Sequence, residues 1–406
     1  MTTSGFLKLS GLCIVLALTG IGFFALHTSR SRRNTGVQNP NPGKVVNASD
    51  SLKKIRHFNE TAHFLAGMQN PEDTADLQQV KSKEWKAYAK SADSNWAKFY
   101  RRKLDHVTKW RIKEIPPAMD TIKTLFYPFG GPDFIFADAF FPDAEKYILF
   151  GLEPPGNIPD PSTWNEQNMK SSLAILNKAI DDVTSIGFFR TNDMKVDLET
   201  SSISGVTPIL MLFLARSGHT ITDVIPGEMS PEGEFHPVKE FQNIQGGKSY
   251  GTAVEIRFVK NKTGKHKSLI YFATDISDKG LGKNPGCLNF IGHVPQNCLT
   301  LIKSASYLMH QADFSIIRRT ILGKSCFILQ DDTGIPYHSL KKSTWQIRLF
   351  GTYSRTIDLF KHKYQEDLKE AYDSEEKPAA VPFQIGYNVK FNETNLLMAT
   401  RKERIK

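Results

Sequence analysis

Acidic side chains collect where three apolar runs of strand type end: Glu153 after residues 146–152, Asp275 with Asp278 after residues 269–274, and Asp331-Asp332 after residues 325–330. In an open α/β sheet, ligands bind in the crevice outside the carboxyl ends of the strands, so residues distant in sequence can meet there. Carboxylates that meet bind a divalent cation such as Mg²⁺ or Ca²⁺, or divide into general acid and general base as repulsion raises one pKa. Asp275, Asp331 and Asp332 are therefore the candidate catalytic acids. His338, just past the turn at residues 334–337, is the candidate base. Tyr127, Asp133, Glu153, His310 and Tyr337 are the candidate ligand contacts, the tyrosines to orient a polar molecule. Each residue type also has a plain structural use: acids cap turns, as Asp331-Asp332-Thr333-Gly334 invites, and a histidine at a helix end bonds the last carbonyls.

Other chemistries find less support. Gly130-Gly131 after a strand, with Glu153 22 residues beyond Gly131, has the outline of a dinucleotide fold, in which glycines admit phosphate and an acid binds ribose. The turn reads Gly-Gly-Pro-Asp, however. Pro132 lacks an N–H, and Asp133 sets negative charge where the phosphate would lie. Ser204-Gly205 and Ser306 lack a nucleophile-elbow setting. Arg318-Arg319 can clamp an anion, though a helix-end role explains them as simply. Cys13 lies in an apolar stretch, leaving Cys287, Cys298 and Cys326. The first two are near enough in sequence for a disulfide, free thiols are the equal alternative, and no spacing suggests zinc.

The elements that must position these groups read as α/β. Residues 124–129 and 146–152 form strands around the turn at 130–133 and a helix at 134–141. Thr207-Pro208 opens a buried helix that Gly218 stops. Residues 254–258 and 269–274 flank a turn and predict a β-hairpin. Helices are expected at 299–310 and 314–322, strands at 325–330 and 345–350, and a surface-wrapping tail from Glu375. Upstream, residues 51–113 read as helical. Trp85, Tyr88, Ala92, Trp96, Phe99, Lys103, Val107 and Trp110 recur at helical spacing, giving one aromatic face among basic ones. That face either docks on a membrane surface or partner, or packs on the body and leaves the lysines solvated. Pro116-Pro117 ends it.

The chain has 406 residues, 40% hydrophobic and 23% charged, which is enough apolar material for a large core and excludes a disordered or fibrous class. Its net charge of +10 is local: four basic residues and no acids fall in the first 33 positions, and eleven basic residues against three acids fall between Lys81 and Lys113. The remainder is not basic, so general nucleic-acid binding loses its electrostatic footing. Residues 9–26, LSGLCIVLALTGIGFFAL, carry no charge and as a helix span ~27 Å, close to a bilayer's ~30 Å core. This segment predicts a single membrane anchor or an export signal, followed by a polar tether to about Asp50. Arg30, Arg32 and Arg33 outnumber the positive charges before the segment, which by the positive-inside rule keeps the body in the cytoplasm. An N-terminal apolar segment ahead of a large domain is more often an export device, and an extracytoplasmic body is the expectation. Asn47, Asn59, Asn261 and Asn392 open glycosylation-type triplets that decide nothing.

Several blocks, FYPFGGPDFIFADAFFP, YILFGLEPPG, LIYFATDISD, SASYLMHQADFSIIRRTIL, ILQDDTGIPY and WQIRLFGTY, with FNETAHFLAGMQ as an opening segment, resemble an uncharacterised family of exported bacterial proteins. The similarity runs from about 58 to 372. It implies a bacterial source and export, and carries no catalytic role. The expected fold is α/β, a central mixed sheet flanked by helices, with an N-terminal helical region and a single N-terminal transmembrane or signal segment. The expected function is binding, or binding with hydrolysis, of an envelope or other extracytoplasmic small-molecule ligand in a carboxylate-lined crevice, with the membrane as partner through the N-terminal segment. The alternatives are an interaction protein using the aromatic and basic helix, and a nucleotide-binding Rossmann-like protein.

Overall fold

The computed structural model describes residues 48–69, 77–185, 203–239, 252–374, 378–387, 393–403 and 405. The apolar N-terminal segment, the tether, Asn47 and Asn392 lie outside them. Among the described residues no helix is long and apolar enough to cross a membrane.

Ten strands make one mixed sheet: β1 Thr124–Tyr127, β2 Lys146–Gly151, β3 His219–Met229, β4 Phe235–Pro237, β5 Thr252–Lys260, β6 Lys265–Ala273, β7 Cys298–Ile302, β8 Ser325–Gln330, β9 Trp345–Gly351 and β10 Asn395–Arg401, ordered β4-β3-β5-β6-β2-β1-β7-β8-β10-β9. The centre, β6-β2-β1-β7-β8, is parallel throughout. β10 runs antiparallel to both β8 and β9, which makes β9 parallel to the centre. Counted in chain order, the parallel strands stand 3-2-1-4-5-6, with β10 wedged between the last two and the β3–β5 hairpin system extending the other edge.

Helices cover both faces. They are α1 Ala48–Leu65, α2 Lys83–Phe99, α3 Asp105–Glu114, α4 Phe134–Phe140, α5 Glu166–Ser185, α6 Thr207–Arg216, α7 Asp278–Lys283, α8 Pro285–Gly292, α9 Ser315–Lys324 and α10 Glu366–Ser374. Strand side chains alternate between two cores, as the period of two requires. Leu125, Tyr127, Tyr147 and Leu149 join the core that holds Phe58, Trp85, Trp110, Phe136 and Leu212, from α1 to α4 and α6. Phe126, Ile148 and Phe150 join the other, with Cys287, Ile317 and Leu368 from α8 to α10. Because both faces are covered, the central strands are near-continuous apolar runs.

The aromatic stripe faces inward. Trp85, Tyr88, Ala92, Phe99, Lys103, Val107 and Trp110 are all buried, and the Trp110 ring packs edge-on to Phe140, Phe350 and Phe383 at 5.0–6.0 Å. One π-helical turn, Tyr100–Leu104, joins α2 to α3 and keeps the stripe on the body.

Three expectations need correction. Residues 299–310 are not a helix: Cys298–Ile302 is the fully buried strand β7, followed by a loop and a single 3₁₀ turn, Leu308–His310. A short buried apolar run has no periodicity to separate strand from helix. The C-terminal tail does not wrap the surface but supplies β10 to the sheet interior. Thr207 is not the cap of α6; Val206 holds that position with no side-chain bond. Of the two alternatives left for Cys287 and Cys298, the structure shows free, buried thiols; Cys326 is buried too, its Sγ donating to Asn297 O (3.1 Å). Asn59 is buried with its amide donating to the carbonyls of Ile55 and Ile221 (2.7 and 2.8 Å), which leaves no room for a glycan.

Candidate functional site

The chain leaves β1 for α4 on one face and leaves β7, the neighbouring strand, for α9 on the other, so the carboxyl ends of β1 and β7 part and open a crevice between them. A cleft of about 590 Å³ lies there. It takes Gly130 to Asp133 from the turn after β1, Glu153 beyond β2, Asp275 beyond β6, and Lys303, Ser304 and Ser306 beyond β7.

The turn after β1 is closed on itself. The Gly130 N–H donates to Tyr127 O (3.2 Å), Gly131 to Phe150 O (2.8 Å), Asp133 to Gly130 O (3.0 Å) and Phe134 to Pro132 O (2.8 Å), while Pro132 has no N–H. Gly131 sits at φ +52, where a side chain would be strained. The amides of Gly130, Gly131 and Asp133 are therefore already engaged and not free to cradle a phosphate. Asp133 caps α4 by accepting from the Phe136 N–H (3.2 Å), accepts from the Tyr127 hydroxyl (2.9 Å), and pairs with Lys303 at 2.7 Å, both charged groups being almost wholly buried. Burial, then the Asp133 charge, lifts the Tyr127 phenol well above its usual range, so it stays a donor.

Glu153 is 3% exposed at the end of β2. Its Oε2 accepts from the Leu152 N–H (3.2 Å), and the Tyr271 hydroxyl donates to its carbonyl (2.8 Å). Asp275 is half-buried, its Oδ1 accepting from the Ser277 N–H (2.9 Å). Asp278 points elsewhere and caps α9, accepting from the N–H groups of Ser315 and Ile316 and from the Ser315 hydroxyl (3.2, 2.9 and 2.7 Å).

The loop after β7 holds an unusual backbone. Ser304, Ser306 and Tyr307 all have φ near +50, and Asn297 just before β7 is the fourth non-glycine residue with positive φ among the described residues. Each such conformation costs about 1–3 kcal/mol, so the surroundings must enforce it. Asp331 and Asp332 do so. Asp331 Oδ2 accepts from the Ser304 N–H (2.8 Å), and its Oδ1 accepts from the N–H and hydroxyl of Thr333, whose oxygen in turn accepts from the Ala305 N–H (2.8 Å). Asp332 Oδ2 accepts from the Tyr307 hydroxyl and Oδ1 from Asn395 Nδ2 (3.1 Å). The Tyr387 hydroxyl donates to Ser304 O and lies 2.8 Å from Ser306 Oγ. Burial, then the Asp331 charge, raises the Asp332 carboxyl to about 7; burial raises Asp331 as well.

Asp133, Glu153, Asp275 and Tyr127 thus share the cleft, whereas the four candidate catalytic residues do not meet in it. Asp331 and Asp332 lie beneath it as anchors of the β7 loop, and Tyr337 borders a small separate hollow beside them. His338 is a correction: its side chain is 74% exposed, with Asp367 at 3.9 Å as its ion-pair neighbour. His310 stands edge-on to Tyr307 at 5.2 Å, outside the cleft lining, and burial lowers its pKa to about 4. Arg318 reaches back to the carbonyls of Met309 and Gln311 (2.6 and 3.0 Å). Among the described residues no group of three His, Cys, Asp or Glu is placed to hold a metal ion. Lys303, the strained loop and Tyr387 are not among the site residues legible in the sequence. They follow a strand read as a helix and a segment read as a tail, and only the apolar run 298–302 ahead of a serine-rich stretch signalled them.

No protein-family model matches the chain, and neither a curated protein nor a solved structure shows significant similarity to it.

Proposed function

We propose that the crevice binds an adenosyl ligand, and that the ligand is cationic at its reacting centre, as S-adenosylmethionine is, and not phosphorylated. The parallel strand order 3-2-1-4-5-6 and the crevice at the β1/β7 switch point support a nucleoside ligand, since doubly wound sheets of this order bind theirs there. Glu153 stands beyond the neighbouring strand β2, where an acidic side chain accepts from ribose hydroxyls in such sheets. A carboxylate at Asp275 suits the exocyclic amine of adenine, which can only donate.

The observation that carries the reading is electrostatic. The cleft lining holds three carboxylates, Asp133, Glu153 and Asp275, against one cation, Lys303, which Asp133 already engages. A diphosphate would bring more negative charge beside a turn whose Gly130, Gly131 and Asp133 amides are already engaged, at a large desolvation cost. A sulfonium finds the opposite: acids in a partly desolvated cleft favour positive charge. The carboxylate-lined crevice expected from sequence is retained in this reading, with a changed occupant. The hydrolytic reading has no assembled acid, base and nucleophile behind it, and the interaction reading loses its aromatic face to the core.

Calorimetric titration of the full chain tests this. S-adenosylmethionine and S-adenosylhomocysteine are expected to bind at micromolar concentrations, NAD and ATP at least 100-fold more weakly, and Glu153→Gln to weaken the adenosyl ligands by 10-fold or more. Tighter binding of NAD or ATP than of S-adenosylmethionine would overturn the charge argument.

A further inference from the structure

The lining of the same cleft also has an apolar part. Besides the carboxylates it takes in Phe129, Leu308, Phe314, Ile357, Leu359 and Phe360. Phe129 and Phe314 lie 6.1 Å apart, and the Phe360 ring packs between Tyr307 (5.1 Å) and Tyr387 (5.6 Å). These side chains are only partly buried. Leu359 is 74% exposed and Leu152, beside Glu153, is 64% exposed, so two of the six exposed large hydrophobic residues described line one cleft. Large apolar side chains left open around a concave site mark a ligand surface. A ribosyl or amino-acid moiety has no use for them.

Resting on the adenosyl reading above, we propose that these apolar side chains take the acceptor, a long-chain lipid whose nucleophilic head group reaches Ser306 and Tyr387 in the same lining. The sequence argues for a membrane source: residues 9–26 are an uncharged stretch of bilayer length. In the transfer, a lone pair of the head group forms the bond to the methyl carbon. The carbon–sulfur bond breaks, its electron pair moves to sulfur, and the sulfonium becomes a neutral thioether. A proton on the nucleophile, where there is one, leaves to water at the open mouth. The hydroxyls of Ser306 and Tyr387, 2.8 Å apart, are placed to orient that head group.

The test uses the full chain and cis-parinaric acid, a fluorescent long-chain acid. We expect a saturable one-site rise in fluorescence, reversed by oleate and untouched by hexanoate. Leu359→Asp and Phe129→Asp should each weaken it at least tenfold, with S-adenosylhomocysteine affinity held within threefold. Binding that both variants leave intact places the probe elsewhere, on the N-terminal apolar segment for example, and overturns the proposal. So does the absence of saturable binding in a chain that takes S-adenosylhomocysteine. A chain that takes neither ligand overturns the adenosyl reading, and this proposal with it.

Discussion

Asp332 shows how one residue type at one position carries two incompatible readings. A carboxylate after a strand is where catalysis is sought, yet this one is 5% exposed and both its oxygens accept bonds from Tyr307 and Asn395. Its folded-state pKa, about 7, lies above the unfolded value of about 4, so the native state binds the extra proton. Its contribution to stability is therefore greatest below pH 4 and declines as pH rises from about 4 to 7. Thermal midpoints between pH 5 and 8 should fall more steeply in the wild-type chain than in Asp332→Asn. The amide costs a pH-independent amount, because its nitrogen meets a donor. An unchanged slope in the variant would remove Asp332 as the source. The contrast with Glu153 is one of surroundings. Glu153 lines an open cleft, whereas Asp331 and Asp332 are enclosed by the backbone they hold.

At the scale of elements, the loop after β7 is the part of the site under strain. The Ser304 hydroxyl is buried without a partner among the described residues, so its side chain offers little in return for a left-handed backbone. Glycine at 304 removes a cost of about 1–2 kcal/mol while adding about 0.5–1 kcal/mol of chain entropy. Ser304→Gly should therefore be about 1 kcal/mol more stable than Ser304→Ala in urea unfolding. Equal stabilities would mean that the loop is relaxed in solution. Element by element, what the sequence made legible depended on local signals. β1, β2, β8 and β9 came within two residues of their ends because Gly, Pro or Asp clusters bound them, and the hairpin of β5 and β6 was plain from its alternation and turn. β7 was not legible, since five buried residues carry no period. β10 was not, since its strand character comes from pairing with β8 and β9 across the chain. Glu153, Asp133, Asp275 and Tyr127 were found through the strands they follow. Lys303 and Tyr387 were lost with the two elements misread.

For the molecule as a whole, the order of strands decides where a ligand can lie, and the charges decide which one. Asn47–Lys406 is one compact unit, in which the N-terminal helices complete one of the two cores and the C-terminal strand contributes to both. An adenosyl sulfonium is made in the cytoplasm, so this reading sides with the three arginines after the apolar segment, which favour a cytoplasmic body over the exported one that the N-terminal segment itself suggests. The central claim is that carboxylates from separate strands hold a cationic nucleoside at the β1/β7 crevice. A crystal soaked with S-adenosylmethionine, whose sulfur carries the positive charge, tests it most directly. The account predicts density in the cleft, with the ribose hydroxyls within hydrogen-bond reach of Glu153 and the sulfur facing the loop at residues 304–307. Ligand density outside that cleft, or a cleft left empty by a ligand that calorimetry shows to bind, would contradict it.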